Sequence, residues 1–151
     1  MRLLVITIFL LGALVINVKG QILKPVQWSY TAKKIADNTF EVHLTANINP
    51  GWHIYSQYTP KGGPVPTTFT FKKDPSILSL GKPQEAGKLQ QMYQKEFDMN
   101  VKYFSDKVDF VQVVKVKSTT PPNFSGTIEY MVCNDKQCLP PIEVDFFLTL
   151  K

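Results

Sequence analysis

Hydrophobic and polar residues alternate along most of the chain beyond residue 20. In residues 39–48, Phe40, Val42, Leu44, Ala46 and Ile48 alternate with mostly polar neighbours. Ile142, Val144, Phe146, Leu148 and Leu150 repeat the pattern near the other end. A period of two puts one set of side chains on one face of a pleated strand, so each run reads as a half-buried strand. Further strands are expected over residues 26–32, 67–73, 100–104, 107–117 and 126–133. Turn formers separate them: Asp37-Asn38, Asn49-Pro50-Gly51, Gly62-Gly63-Pro64, Asp74-Pro75, Ser105-Asp106 and Pro121-Pro122-Asn123. About seven short strands punctuated in this way imply an all-β fold, a β-sandwich. The one stretch with helical potential is 85–96, where the periodicity is weak. No internal repeat, low-complexity tract or linker is visible, so one domain is expected.

The first residues have a different pattern. Met1 and Arg2 give a short positive start, and Leu3 to Ile16 is apolar except for Thr7 and Gly12. Val18 and Gly20 sit where a small-x-small cleavage site wants them, just before Gln21. This is the layout of a secretory signal peptide spanning 1–20, which leaves a domain over 21–151. The apolar run is shorter than the roughly 20 residues of a membrane span. No cysteine lies near the cleavage region, which excludes lipid attachment at a new N-terminal cysteine. No other segment is apolar enough to cross a membrane. The expected location is the periplasm or the exterior.

Composition narrows the function. Loss of the signal removes Arg2 and Lys19 and no acid, so the net charge falls from +5 to +3. Arg2 is the only arginine in the chain. Without the planar guanidinium fork, specific reading of phosphates or base edges has little support, and no nucleic-acid partner is expected. The lysines are dispersed, as on an ordinary solvated surface.

Chemistry concentrates in one place. Both cysteines lie in Cys133-Asn134-Asp135-Lys136-Gln137-Cys138-Leu139-Pro140-Pro141. A strand ending at Cys133, a polar four-residue turn and a second strand near Cys138 would set the two across a hairpin. Facing residues of an antiparallel pair are about 4.5–5.5 Å apart at Cα, within reach of a disulfide. Such a bond can be a structural staple, which exported proteins often carry. Loop size argues for a different role, because closing about six residues removes unfolded-state entropy worth only roughly 2 kcal/mol. A stabilising bond would gain more by joining distant strands, whereas a disulfide in a polar turn stays open to an attacking thiolate.

Metal binding has less support. His43 alternates with Val42 and Leu44, so it is expected to face solvent. His53 lies between Trp52 and Ile54 after a turn and reads as a packed or surface ring. Two cysteines and two scattered histidines lack zinc-site spacing, and no cofactor is implied. There is no phosphate-binding glycine loop, no Gly-x-Ser-x-Gly, no His-Glu-x-x-His and no Cys-x-x-Cys.

The cysteine segment, preceded by Tyr130 and followed by a last alternating strand, resembles the active-site hairpin of the N-terminal periplasmic domain of the thiol:disulfide interchange protein DsbD. Gly51-Trp52-His53-Ile54-Tyr55-Ser56 is similar to that family's early Gly-aromatic-x-x-Tyr segment. The resemblance covers essentially the whole chain after the signal, and the cysteine hairpin is its most specific part. It implies an immunoglobulin-like sandwich with the cysteine pair on a hairpin near the C-terminus. It also implies an electron relay, taking electrons from a thioredoxin-like domain or membrane-bound thiol reductase and passing them to oxidised periplasmic thiol proteins. By resemblance, Cys138 forms the mixed disulfide and Cys133 resolves it.

The family shields its cysteines with a cap loop in which an aromatic residue follows acidic ones. Tyr93-Gln94-Lys95-Glu96-Phe97-Asp98 is similar to that loop, which makes Phe97 the expected cap and Glu96 a neighbour of the thiols; the other reading of Phe97 is a core residue under a loop. Tyr55 and Tyr130 are the remaining expected neighbours. Two departures stand out. The enterobacterial motif has one more residue between its cysteines. The family's full-length proteins add a transmembrane domain and a thioredoxin-like domain, which this chain does not carry, so its reductant is expected to be a separate protein. The competing class is a non-catalytic sandwich adaptor with a structural disulfide.

Overall fold

Strands dominate the computed structural model, which describes residues 23–151; the expected signal segment, 1–20, lies outside the described residues. Eleven strands follow in chain order: β1 (Val26–Ala36), β2 (Thr39–Ile48), β3 (His53–Tyr55), β4 (Thr68–Phe71), β5 (Ile77–Gly87), β6 (Gln90–Gln94), β7 (Met99–Ser105), β8 (Lys107–Val116), β9 (Asn123–Tyr130), β10 (Val132–Cys133) and β11 (Ile142–Thr149). They form three sheets, ordered β1-β2-β8-β5, β10-β3-β7-β6 and β11-β9-β4. The arrangement is a β-sandwich, as the alternation implied, and of the immunoglobulin-like type that the resemblance implied. The strand pairs are antiparallel.

The main core lies between the sheets. Val42, Leu44, Phe110 and Ile128 are fully buried there. Trp28 packs on Phe110 and Tyr130, with ring centroids 5.9 and 5.5 Å away. These side chains come from alternate positions of their strands, so one face of each strand supplies the core.

Three sequence expectations change. Residues 85–96 are not helical: they form the end of β5, a tight connection and β6. The helical periodicity there is weak, and the chain instead crosses from one sheet to another: β5 pairs with β8, and β6 pairs with β7 along its whole length. β5 itself was not foreseen. Its ladder to β8 is broken between Leu80 and Gln84, and Gly81 has φ +72°. Pro83 sits inside that bulge, where its missing N–H costs no ladder bond. The single strand expected over 126–133 is two strands. Met131 separates them: β9 pairs with β11 and β4, while β10 pairs with β3 in another sheet. That switch of sheets carries Cys133 out of the main sandwich.

Candidate functional site: a disulfide on the outer face of a small sheet

The sheet β10-β3-β7-β6 has two differently occupied faces. Ile54, Phe104 and Val132 point into the main core. Their chain neighbours Tyr55 and Cys133, with Val101, point the other way and form a second cluster with Met92, Met99, Tyr103 and Met131. The register explains the grouping. Cys133 faces His53, Tyr55 faces Tyr103, and Val101 faces Met92. Directly opposed residues of an antiparallel pair share a face, with Cβ atoms about 4.5–5.5 Å apart.

Cys133 and Cys138 form a disulfide, with their Cα atoms 4.0 Å apart. Local hydrogen bonds shape the turn between them. The Asn134 side-chain oxygen accepts from the Lys136 and Gln137 amides, both at 2.9 Å, and the Asn134 amide donates to the Gln137 carbonyl at 2.9 Å. Asn134 thus supplies a side-chain turn that the sequence can encode locally. Beyond it, the Leu139 amide donates to the Val132 carbonyl at 2.9 Å, closing the hairpin base. Within this frame the cysteines differ. Cys133 is fully buried, and Cys138 is exposed.

An open cleft of about 320 Å³ adjoins Cys138. It is lined by His53, by residues from Met92 to Glu96, and by the turn from Asn134 to Gln137. Glu96 thus lines the same cleft as Cys138. Phe97 comes next in the same turn and is half-buried. Its Cβ is 3.6 Å from where a side chain at Gly63 would begin, and the Met99 sulfur is closer still. A side chain at position 63 would press on the Met99 sulfur and only touch Phe97, so the 56–67 loop lies close against this turn. That loop is tied down by buried polar groups. The Thr59 hydroxyl donates to the Lys102 carbonyl at 2.7 Å, and the Thr67 hydroxyl donates to the Tyr55 carbonyl at 2.6 Å.

Tyr55 is fully buried, and its hydroxyl donates to Gln94 Oε1 at 2.9 Å. Burial raises its pKa, and Glu96 adds to that. Tyr130 lies elsewhere: it belongs to the main core against Trp28, rather than to the cluster around Cys133. Alternation is the reason: Ile128, Tyr130 and Val132 face the main core, whereas Met131 and Cys133 face the other way.

From the sequence His53 reads as a packed or surface ring rather than a metal ligand. It is packed, at 7% exposure, but it lies directly across from Cys133 and lines the cleft beside Cys138. Its ring meets Tyr103 at 5.0 Å and Tyr55 at 5.3 Å. Burial lowers its pKa, with Asp135 pulling weakly the other way. Only the pairing of β3 with β10 reveals this position, and no local pattern signals it. His43 is on β2, half-buried, with Nδ1 2.6 Å from Asp109 Oδ2. Among the described residues, no cluster of three or more His, Cys, Asp or Glu could hold a metal ion. No helix among them is long and apolar enough to cross a membrane.

Comparison with known proteins adds a family. The family model for the N-terminal region of thiol:disulfide interchange protein DsbD matches residues 19–150. No curated protein matches the chain. The N-terminal periplasmic domain of ScsB from Proteus mirabilis superposes with a TM-score of 0.57 at 16% identity, over 84% of this chain and 46% of that one. This chain thus spans just under half of that ScsB chain. The reduced DsbD N-terminal domain of Neisseria meningitidis gives 0.52 at 13% identity, covering 81% of this chain and 84% of that one. A Neisseria meningitidis complex between the DsbD and PilB N-terminal domains gives 0.51 at 13% identity, covering 84% and 87%. At these identities the likeness concerns the fold.

Proposed function

The chain belongs to the DsbD N-terminal domain family, which takes part in thiol–disulfide exchange with partner proteins, and on that premise we propose that it is an exported electron-relay domain. Cys133 and Cys138 cycle between dithiol and disulfide. Electrons come from a thioredoxin-like domain or a membrane-bound thiol reductase and pass to oxidised periplasmic thiol proteins. A signal over 1–20, cleaved after Gly20, delivers the domain over 21–151 to that compartment.

The observation that carries this reading is the contrast between an exposed Cys138 and a fully buried Cys133. Exchange proceeds by attack of a thiolate on a disulfide sulfur through a mixed disulfide. An incoming thiolate reaches Cys138, and Cys133 becomes the leaving group. In the opposite direction Cys138 attacks the oxidised partner and Cys133 resolves the intermediate. The structure of a DsbD N-terminal domain in complex with a PilB N-terminal domain supports a protein domain as the partner.

Trapping tests the assignment. Cys133→Ser, expressed in the native periplasm, should accumulate a long-lived mixed disulfide through Cys138, and Cys138→Ser should not. Equal trapping by both variants, or by neither, would sink it. Phe97 is proposed as the cap of the pair, acting from the turn that also brings Glu96 to the cleft. Phe97→Ala should then speed reduction by dithiothreitol, since exchange needs access to sulfur. An unchanged rate with the fold intact would remove Phe97 from the site.

A further inference from the structure

We infer that His53 is the proton acceptor for Cys133 when that buried cysteine resolves the mixed disulfide. The inference rests on the exchange reading above and adds a residue to it. Resolution needs a thiolate, yet Cys133 is fully enclosed in an apolar cluster with Tyr55 and Val101. Apolar surroundings raise a thiol's pKa, so the proton needs a nearby base. His53 is directly opposite Cys133 in the β3–β10 ladder, on the same face of the sheet. It also lines the cleft into which Cys138 opens, so it adjoins both the strand of the buried thiol and the exposed end of the reaction.

Hydrogen bonding selects the nitrogen. The Tyr55 hydroxyl has one proton, and it donates that proton to Gln94 Oε1 at 2.9 Å. The same oxygen lies 3.3 Å from His53 Nε2, so it accepts a hydrogen bond from Nε2–H. The neutral ring then has its lone pair on Nδ1. Burial keeps the ring neutral near pH 7 by lowering its pKa. The charged groups around it come from two elements: Asp135 and Lys136 from the cysteine turn, and Lys95 and Glu96 from the turn after β6. These are two acids and two lysines, and Asp135 alone registers at the ring. From its own sheet, Tyr55 and Tyr103 pack on the ring.

The step balances as follows. Cys133 Sγ–H gives its proton to His53 Nδ1. The resulting thiolate attacks Cys138 Sγ, forming the Cys133–Cys138 bond and breaking the bond between Cys138 and the partner sulfur. The electron pair leaves on the partner thiolate, which takes up a proton from the imidazolium or from water. The two cysteines are oxidised, and the partner disulfide is reduced by two electrons.

Stopped-flow kinetics with a small aromatic disulfide that releases a coloured thiolate test this without any protein partner. Mixed with the reduced domain, it should release one equivalent as Cys138 attacks and a second as Cys133 resolves. In the wild type, the second rate should rise with pH through the depressed His53 pKa and level off near neutrality. His53→Gln and His53→Phe should each slow the second release about 10²-fold at pH 7. They should also move its rise towards the cysteine range near 8.5 or above, and slow the second release far more than the first. Gln keeps a polar group and Phe keeps the ring packing, so either variant that folds suffices. A wild-type second rate and pH profile in a folded variant would overturn the role of His53 and leave the relay reading standing. Absence of a second release in the wild type would overturn both.

Discussion

Ile54 and its neighbours His53 and Tyr55 share a three-residue strand and face opposite sides of one small sheet. The inner side, with Ile54, Phe104 and Val132, is continuous with the main apolar core. The outer side is also buried, but it is made of a disulfide sulfur, thioethers, a phenol and an imidazole. Area burial stabilises both sides. Only the outer side orders groups that can exchange electrons and protons, and it does so by joining segments far apart in sequence: β3, β6, β7 and β10. The difference teaches that one strand can serve stability on one face and chemistry on the other.

The largest effect should therefore come from the inner face. Phe104 is 1% exposed and packs edge-on against Phe110 at a centroid distance of 6.3 Å. Phe104→Ala should cost about 3–5 kcal/mol through lost burial and the cavity left behind. Urea unfolding with a preserved slope would measure it. A loss below about 1 kcal/mol would mean that the inner face is not part of the main core.

A smaller effect is expected from the outer face. Cys133→Ala/Cys138→Ala removes a bond closing a loop with a sequence separation of 5. The loss should be about 2 kcal/mol or less, with the fold retained. Unfolding of the double variant at room temperature would reverse the comparison and favour a structural disulfide.

The same division explains what the sequence disclosed. The inner faces of β2, β8 and β11 were legible because Val42, Leu44, Phe110 and Phe146 repeat with period two along long strands. The cysteine turn was legible because Asn134 organises it through its immediate neighbours. β3 was not, since three residues are too few to show a period and all three are buried. β5 was hidden because Gly81, Lys82 and Pro83 interrupt its alternation, and they form a bulge in its ladder to β8. Tyr130 lies away from Cys133 by simple alternation, but the placing of His53 beside Cys133 depends on which strand β10 pairs with. That choice is made by long-range pairing.

The smallest effect is a pH dependence set by the outer face. His53 is almost fully buried, and burial is the main cause of its lowered pKa. In the unfolded chain the ring should titrate near the ordinary value of about 6.5. Between that value and the lower folded one, the unfolded state binds more protons than the native state. Stability should thus be full above about pH 6.5, fall as pH drops towards the folded pKa, and level off below it as far as this group is concerned. His53→Phe keeps an aromatic ring against Tyr103 and removes the titration. Urea midpoints measured from pH 7.5 down to 5 should fall more steeply for the wild type than for this variant. The carboxylates contribute equally to both curves, so the difference isolates the ring. Parallel curves would mean that His53 is solvated, and the outer face would then be open rather than packed.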